Sequence, residues 1–69
     1  PEVFLKGAQI LGVNPKEVIV FEDSIAGVEA ANKAKMVSVA ICASGKIEKA
    51  RFNFNSLDDI PLEFFQNVI

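Results

Sequence analysis

The chain has 69 residues, which is enough for one small domain and too few for two. It contains no histidine and a single cysteine, so it cannot form a Ser-His-Asp triad, a histidine-ligated metal site or an internal disulfide. A formal net charge of −2 provides no basic surface for nucleic acid. The longest uninterrupted apolar run, residues 39–43, is far too short to cross a membrane. We therefore expect neither a nucleic-acid partner nor a membrane partner.

The first residues predict a helix. Pro1 and Glu2 are typical of a helix start, and Phe4, Ala8 and Leu11 recur at the spacing of one apolar helix face. Gly12 is a suitable residue to end this helix, because glycine adopts the left-handed conformation found after a helix C-terminus.

A strand, a helix and a second strand are predicted next. Residues 18–21, Val-Ile-Val-Phe, form a β-branched and aromatic run typical of a strand covered on both faces. Ser24 is a natural N-cap for an alanine-rich helix over residues 25–34. Val37–Ile41 predicts another buried strand. Such a βαβ unit places its two strands parallel, and the predicted fold class is α/β.

The last third of the chain gives weaker patterns. Residues 47–51 predict one helical turn, and the alternating residues 52–55 predict a short third strand. Residues 56–59, Ser-Leu-Asp-Asp, resemble a capping box before a final helix. The apolar residues of that helix are Leu62, Phe65 and Ile69. Phe64 and Phe65 are expected to face the core on one side and an interface on the other. Cys42, at a strand end, is interpreted as a small buried hydrophobic residue.

Glu22 and Asp23 are the strongest candidates for chemistry, because two adjacent carboxylates follow the first predicted strand. Ligands of open α/β sheets bind outside the carboxyl ends of the strands, and carboxylate oxygens suit Mg²⁺. Successive side chains of a strand point to opposite faces, so both carboxylates can approach one ion only if the chain turns between them. Otherwise one is a direct ligand and the other supports it. The alternative is that Glu22 is a polar strand end and Asp23 supports the helix N-terminus.

The residues around this pair resemble a motif of a known family. Residues 18–36, VIVFEDSIAGVEAANKAKM, are similar to the fourth motif of the haloacid dehalogenase superfamily. The nearest branch contains beta-phosphoglucomutases and phosphoglycolate-type phosphatases. Residues 1–5, PEVFL, resemble the end of the third motif, and the spacing between the motifs fits. The resemblance covers residues 1–41 well and the rest loosely. Lys35 stands where the family usually has glycine.

This resemblance implies a fold and a chemistry. The fold would be a partial Rossmann-like core of parallel strands with flanking helices. The parent protein would be a Mg²⁺-dependent phosphatase or phosphomutase that acts on a small phosphorylated metabolite, such as a sugar phosphate, through an aspartyl-phosphate. Asp23 would be a Mg²⁺ ligand, and Glu22 a second ligand or a residue that supports it. Ser24 would cap the helix and brace the acidic loop, and Gly27 would let the helix approach the neighbouring strand.

The family's catalytic residues have no counterparts here. The Asp-x-Asp motif that carries the nucleophile does not occur, since the aspartates are Asp23, Asp58 and Asp59. The lysine of the third motif would lie three residues before Pro1. We therefore expect residues 1–69 to be the C-terminal part of such a core, without the cap domain and the N-terminal motifs. This part would supply no catalytic residue and would be inactive in isolation.

Two alternative hypotheses about function stay open. The chain is alternatively a small non-catalytic α/β interaction module, or a receiver-like domain, although convincing counterparts of a receiver's phosphate-accepting aspartate and switch lysine are absent. Lys46, Lys49 and Arg51 are candidates for phosphate contacts, but a solvated face is the better account. A helix cap likewise accounts for Asp58 and Asp59 better than a metal site does.

The strand at residues 18–21 also indicates what the chain would bind. Without its N-terminal neighbours, the strand at residues 18–21 would be a bare apolar edge, which pairs readily with another chain. The expected partner is therefore the remainder of the parent chain or a second copy bound through this edge. The absence of disulfides favours a reducing compartment, and we predict a cytoplasmic location.

Overall fold

The computed structural model describes residues 1–68 and contains three helices and three strands. In chain order these are α1 (Glu2–Leu11), β1 (Ile19–Glu22), α2 (Ile25–Lys33), β2 (Val37–Ile41), β3 (Phe52–Phe54) and α3 (Leu62–Asn67). Short 3₁₀ helices span Pro15–Glu17 and Leu57–Asp59. The strands form one sheet in the order β1-β2-β3, and both pairs are parallel. The predicted α/β class, with parallel strands and flanking helices, is confirmed.

The sheet separates two layers of helices. Val28 of α2 packs on Ala40 of β2 on one face, because alternate strand residues point to that side. Val37 and Val39 point to the opposite face, where they pack with Val68 beyond the end of α3. In residues 1–68, no helix has the length and apolar character needed to cross a membrane.

Phe64 of α3 packs against aromatic rings on the face of the sheet opposite α2. Its ring centroid lies 4.9 Å from that of Phe52 and 5.3 Å from that of Phe54, both in edge-on geometry. Phe65 is 49% exposed, whereas Phe64 is partly buried. The prediction that Phe64 and Phe65 face opposite environments is consistent with this arrangement.

Three predicted boundaries were wrong. The first strand begins at Ile19 rather than Val18, because the Val18 N–H closes the preceding 3₁₀ turn on the Pro15 carbonyl. Residues 47–51 form a turn closed by the Ala50 N–H and the Ile47 carbonyl at 3.1 Å, and not a turn of helix. Ser56 caps the 3₁₀ helix Leu57–Asp59 instead of the final helix.

The final helix begins later than the capping pattern indicated. It starts at Leu62 after Pro61, which provides no side-chain cap hydrogen bond. Pro61 has a φ of −72°, close to the angle that its ring fixes, and its carbonyl accepts the Phe64 N–H at 3.0 Å. The predicted Phe65 lies in this helix, whereas Ile69 lies outside the described residues.

Helix α1 is less buried than predicted. Ala8 is buried and Phe4 is partly buried, but Leu11 is 76% exposed. The helix contacts the end of α2 and the residues around β1 through one narrow cluster that includes Ala34 and Met36. Leu11 therefore lies outside the contact, and the predicted apolar face extends beyond the surface that covers it.

The C-terminus of α2 carries a strained lysine. Lys35 has a φ of 65°, in the left-handed region that a side chain disfavours. The N–H groups of Lys35 and Met36 bond the carbonyls of Asn32 and Ala31, both at 3.0 Å, which is the double hydrogen bond of a Schellman ending. This conformation explains why glycine would suit the position better.

Lys35→Gly is expected to raise the free energy of unfolding by about 1 kcal/mol, because glycine adopts a positive φ without steric cost. Denaturant unfolding at one fixed protein concentration measures this change. Lys33→Gly is the matched control, since Lys33 is the last residue of α2 and has no positive φ, so glycine there should not raise stability. A loss of stability in Lys35→Gly would contradict the assignment of strain to this residue.

Candidate functional site

The acidic pair lies where β1 ends and α2 begins. Glu22 is the last residue of β1, Asp23 and Ser24 form a bend, and α2 starts at Ile25. Ser24 Oγ accepts a hydrogen bond from the Gly27 N–H at 3.0 Å, which confirms Ser24 as the predicted N-cap. The same hydroxyl donates to Glu22 Oε1 at 3.4 Å. Ser24 thus links the start of the helix to the acidic side chain before it.

Gly27 provides the space that Glu22 occupies. A Cβ atom on Gly27 would overlap Cγ, Cδ and Oε1 of Glu22, so the glutamate side chain lies directly against the first turn of α2. The sequence predicted that Gly27 allows a close approach between helix and strand. The atoms that make this approach belong to the Glu22 side chain at the end of β1. Any larger residue at position 27 would displace that carboxylate.

Asp23 is exposed, in contrast to the partly buried Glu22. The chain bends between them, and both side chains border one cavity of about 450 Å³ at the carboxyl end of β1, which we call the acidic cavity. Its other lining residues are Phe21, Ile41 and Leu57. Glu22 and Asp23 therefore border the same cavity despite their different exposure.

These two carboxylates fit one side of a Mg²⁺ site. Within residues 1–68, no group of three or more His, Cys, Asp or Glu side chains is arranged to hold a metal. Mg²⁺ in phosphoryl-transfer sites is commonly held by one or two carboxylates together with waters and substrate phosphates. The donor set of Glu22 and Asp23 matches that pattern, and the remaining ligands would come from water, substrate or residues outside this chain.

A second cavity, of about 570 Å³, also borders Asp23, and we call it the loop cavity. It lies between the start of α2 and the loop of residues 42–51. Asp23, Ile25 and Glu29 line it from the helix side, and Cys42, Lys46, Ile47, Glu48 and Lys49 line it from the loop side. Asp23 is the residue that borders both cavities.

Cys42 is less buried than predicted. It follows β2 directly and borders the loop cavity, where its side chain is partly exposed. Its Sγ lies 3.5 Å from Ser44 Oγ, and hydrogen bonding from the side chain and backbone of Ser44 lowers the pKa of the Cys42 thiol. The strand ends before Cys42, so the sheet does not enclose it.

Asparagine side chains hold the loop of residues 42–51 in place. Asn53 accepts from the Ile47 N–H at 2.8 Å and donates to the Ile47 carbonyl at 3.1 Å. Asn55 donates to the Cys42 carbonyl at 3.0 Å, and Asn32 donates to the Lys49 carbonyl at 2.8 Å. The loop backbone is therefore fixed by side chains from the sheet and from α2.

Ser38 joins the same network from inside the sheet. It is 1% exposed, donates to Asn32 Oδ1 at 2.7 Å and accepts from the Arg51 N–H at 3.0 Å. This network was not predicted from the sequence. Its signal is a polar residue at an inward strand position: Ser38 interrupts an apolar run, and Asn53 stands between two phenylalanines.

The weaker sequence candidates do not join the acidic pair. Asp58 and Asp59 lie in the 3₁₀ helix Leu57–Asp59 that Ser56 caps, in agreement with the interpretation as part of a capping pattern. Arg51 stacks on the Phe52 ring at 5.5 Å from its centroid. Lys49 Nζ lies 3.8 Å from Glu29 Oε2 in an exposed ion pair. Lys46 lines the loop cavity.

Gly27→Ala is expected to lower the affinity for divalent cations by about tenfold, because the new methyl group displaces the Glu22 carboxylate. The helix itself should stay intact, since alanine is the better helix former. Mn²⁺ binding followed by electron paramagnetic resonance measures the affinity, and circular dichroism measures the helix. Gly7→Ala is the matched control, because a Cβ there meets no atom within 4 Å. Equal metal affinity in both variants would contradict the role of Gly27.

Comparison with known proteins gives one partial relative. A 41-residue stretch, 59% of the chain, is 49% identical to part of the protein Suppressor of Quenching 1, chloroplastic, of Arabidopsis thaliana. The stretch covers 4% of that protein, so the match concerns a very small portion of it. No family model matches the chain, and no solved structure matches it.

Proposed function

We propose that this chain supplies the acidic metal-binding loop of a Mg²⁺-dependent phosphoryl-transfer enzyme of the haloacid dehalogenase type. The substrate would be a small phosphorylated metabolite such as a sugar phosphate, and the reaction that of a phosphatase or a phosphomutase. The observation that carries the proposal is the acidic cavity, which Glu22 and Asp23 both border at the carboxyl end of a parallel strand. The sequence pattern around them supports the same chemistry.

The two carboxylates have different roles in this proposal. Asp23 is exposed and forms no ion pair within residues 1–68, so its oxygens are available to a cation. Glu22 lies against Gly27 and accepts from Ser24, so its carboxylate is held in one place. We therefore assign the direct ligand role to Asp23. Glu22 is a second ligand or orients the water around the ion.

When bound, Mg²⁺ neutralises the phosphate oxygens and so favours phosphoryl transfer. The chain's own residues place negative charge at a fixed point beside an apolar wall formed by Phe21, Ile41 and Leu57. A bound cation there would attract a phosphate that the bare carboxylates repel. The nucleophile and the general acid would come from residues of the parent enzyme outside this chain.

The second candidate function is a non-catalytic α/β interaction module. The observation that favours it is exposed apolar surface: Val3 and Leu11 of α1 and Phe21 of β1 are all exposed. Metal binding separates the two candidates, because an interaction module has no need of a cation at Asp23.

The relative's name states no reaction, and it places that relative in the chloroplast. For this chain, a cytoplasmic location remains our prediction.

The test is a phosphatase assay of the parent protein that carries residues 1–69, with p-nitrophenyl phosphate and a panel of sugar phosphates. We expect turnover that EDTA abolishes and added Mg²⁺ restores. The isolated 69-residue chain serves as the negative control, because it lacks the nucleophile motif. Turnover that is unaffected by EDTA, or the absence of turnover on all phosphate esters, would contradict the proposal.

A further inference from the structure

The loop cavity is lined by a lysine, Lys46, that the proposed function does not use. Of the three basic residues in the loop, Lys49 pairs with Glu29 and Arg51 stacks on Phe52. Lys46 lines the cavity and forms no ion pair within residues 1–68. It is therefore the basic residue of the loop that is available to an anionic ligand.

The wall that carries Lys46 is fixed. Asn55 donates to the Gly45 carbonyl at 3.4 Å, directly before Lys46, and Asn53 bonds both backbone groups of Ile47, directly after it. The backbone of Lys46 is thus held on both sides. A preorganised loop loses little entropy when a ligand binds, which favours affinity.

The charges around the cavity set a condition on its ligand. Three acidic residues and two basic residues line it, which gives a net charge of −1. A phosphate would be repelled by that balance. A Mg²⁺ ion at Asp23 would change the net charge to +1, so anion binding in this cavity depends on the metal. This step rests on the proposed function.

We propose that the loop cavity binds the phosphoryl group of the metabolite, with Lys46 as its direct contact. Asp23 borders the cavity, so a metal held there and the Lys46 ammonium group would act on the same anion from two sides. Ile25 and Ile47 provide an apolar part of the lining. The volume of about 570 Å³ suits a small metabolite.

Equilibrium dialysis of the chain against radiolabelled inorganic phosphate at saturating Mg²⁺ tests the proposal, and it works for monomers and assemblies alike. We expect Lys46→Ala to weaken phosphate binding by about five- to tenfold, since a partly exposed charged contact is lost. Lys46→Arg should retain binding. Lys33→Ala, an equal change of charge at the end of α2, should alter it less than twofold.

Mn²⁺ binding measured by electron paramagnetic resonance on the same samples distinguishes the possible failures. If the metal binds and Lys46→Ala holds phosphate as tightly as the unmodified chain, the role of Lys46 is overturned and the proposed function stands. If the metal binds and no phosphate is retained, the cavity assignment is overturned. If no metal binds to the unmodified chain, the proposed function and the role of Lys46 both fail.

Discussion

Asp23→Asn is expected to lower the Mg²⁺-dependent turnover of the parent enzyme by about 10³-fold, because a metal stabilises the phosphoryl transition state by several kcal/mol. Asparagine retains the shape of the side chain and removes the negative charge that holds the cation. Since Asp23 is exposed and outside the core, the variant should fold normally. The measurement is kcat/KM with a phosphate ester over a range of Mg²⁺ concentrations.

Glu22→Gln should have a smaller effect, about 10- to 100-fold, because Glu22 shares or supports the ligand role. Asp58→Asn is the control, since Asp58 lies in the 3₁₀ helix Leu57–Asp59 and does not line the acidic cavity. We expect its activity to equal that of the unmodified enzyme. Unchanged Mg²⁺ dependence in Asp23→Asn would remove Asp23 from the site.

The isolated chain is expected to self-associate at tens of micromolar, on the order of concentrations at which exposed edges cause association. Strand β1 is an edge of the described sheet, and its Phe21 is 40% exposed. An edge strand with apolar side chains offers unpaired N–H and C=O groups to another strand. In the parent enzyme the same edge would pair with the remainder of the chain.

Analytical ultracentrifugation of the chain and of Phe21→Lys measures this association. A lysine on an edge strand opposes pairing, so the variant should shift towards the monomer. Leu62→Lys is the matched control, because Leu62 is apolar and 80% exposed but belongs to α3, so it offers no unpaired strand backbone to another chain. A monomer whose β1 amides are strongly protected from hydrogen exchange would contradict the prediction and favour the interaction module.

The central βαβ unit was predictable because its patterns are local. The run before Glu22 fills one edge strand, Ser24 caps the helix that follows, and Val37–Ile41 forms the central strand. The features that were predicted wrongly depend on tertiary packing and on the type of helix formed. Leu11 follows the helical period of an apolar face, but only a narrow cluster covers α1, so the residue stays exposed. Ser56 has the chemistry of a cap, and the helix that it caps is a 3₁₀ helix.

The positions of Glu22 and Asp23 at a strand end could also be predicted from sequence. Their shared cavity could not, because it depends on the bend at Asp23 and on Ile41 and Leu57, which are distant in sequence. The network of Ser38, Asn32 and Asn53 was missed for a similar reason. Its hydrogen bonds join residues 6 to 17 positions apart, and no local pattern specifies which backbone groups they satisfy.

The most direct measurement of the central claim is Mn²⁺ binding to the 69-residue chain, followed by the loss of the free-ion electron paramagnetic resonance signal and competed with Mg²⁺. We expect one Mn²⁺ site from which Mg²⁺ displaces the ion, present in the unmodified chain and in Asp58→Asn and lost in Asp23→Asn. Equal binding in all three proteins, or no binding in the unmodified chain, would contradict the assignment of a metal site to the Glu22-Asp23 loop.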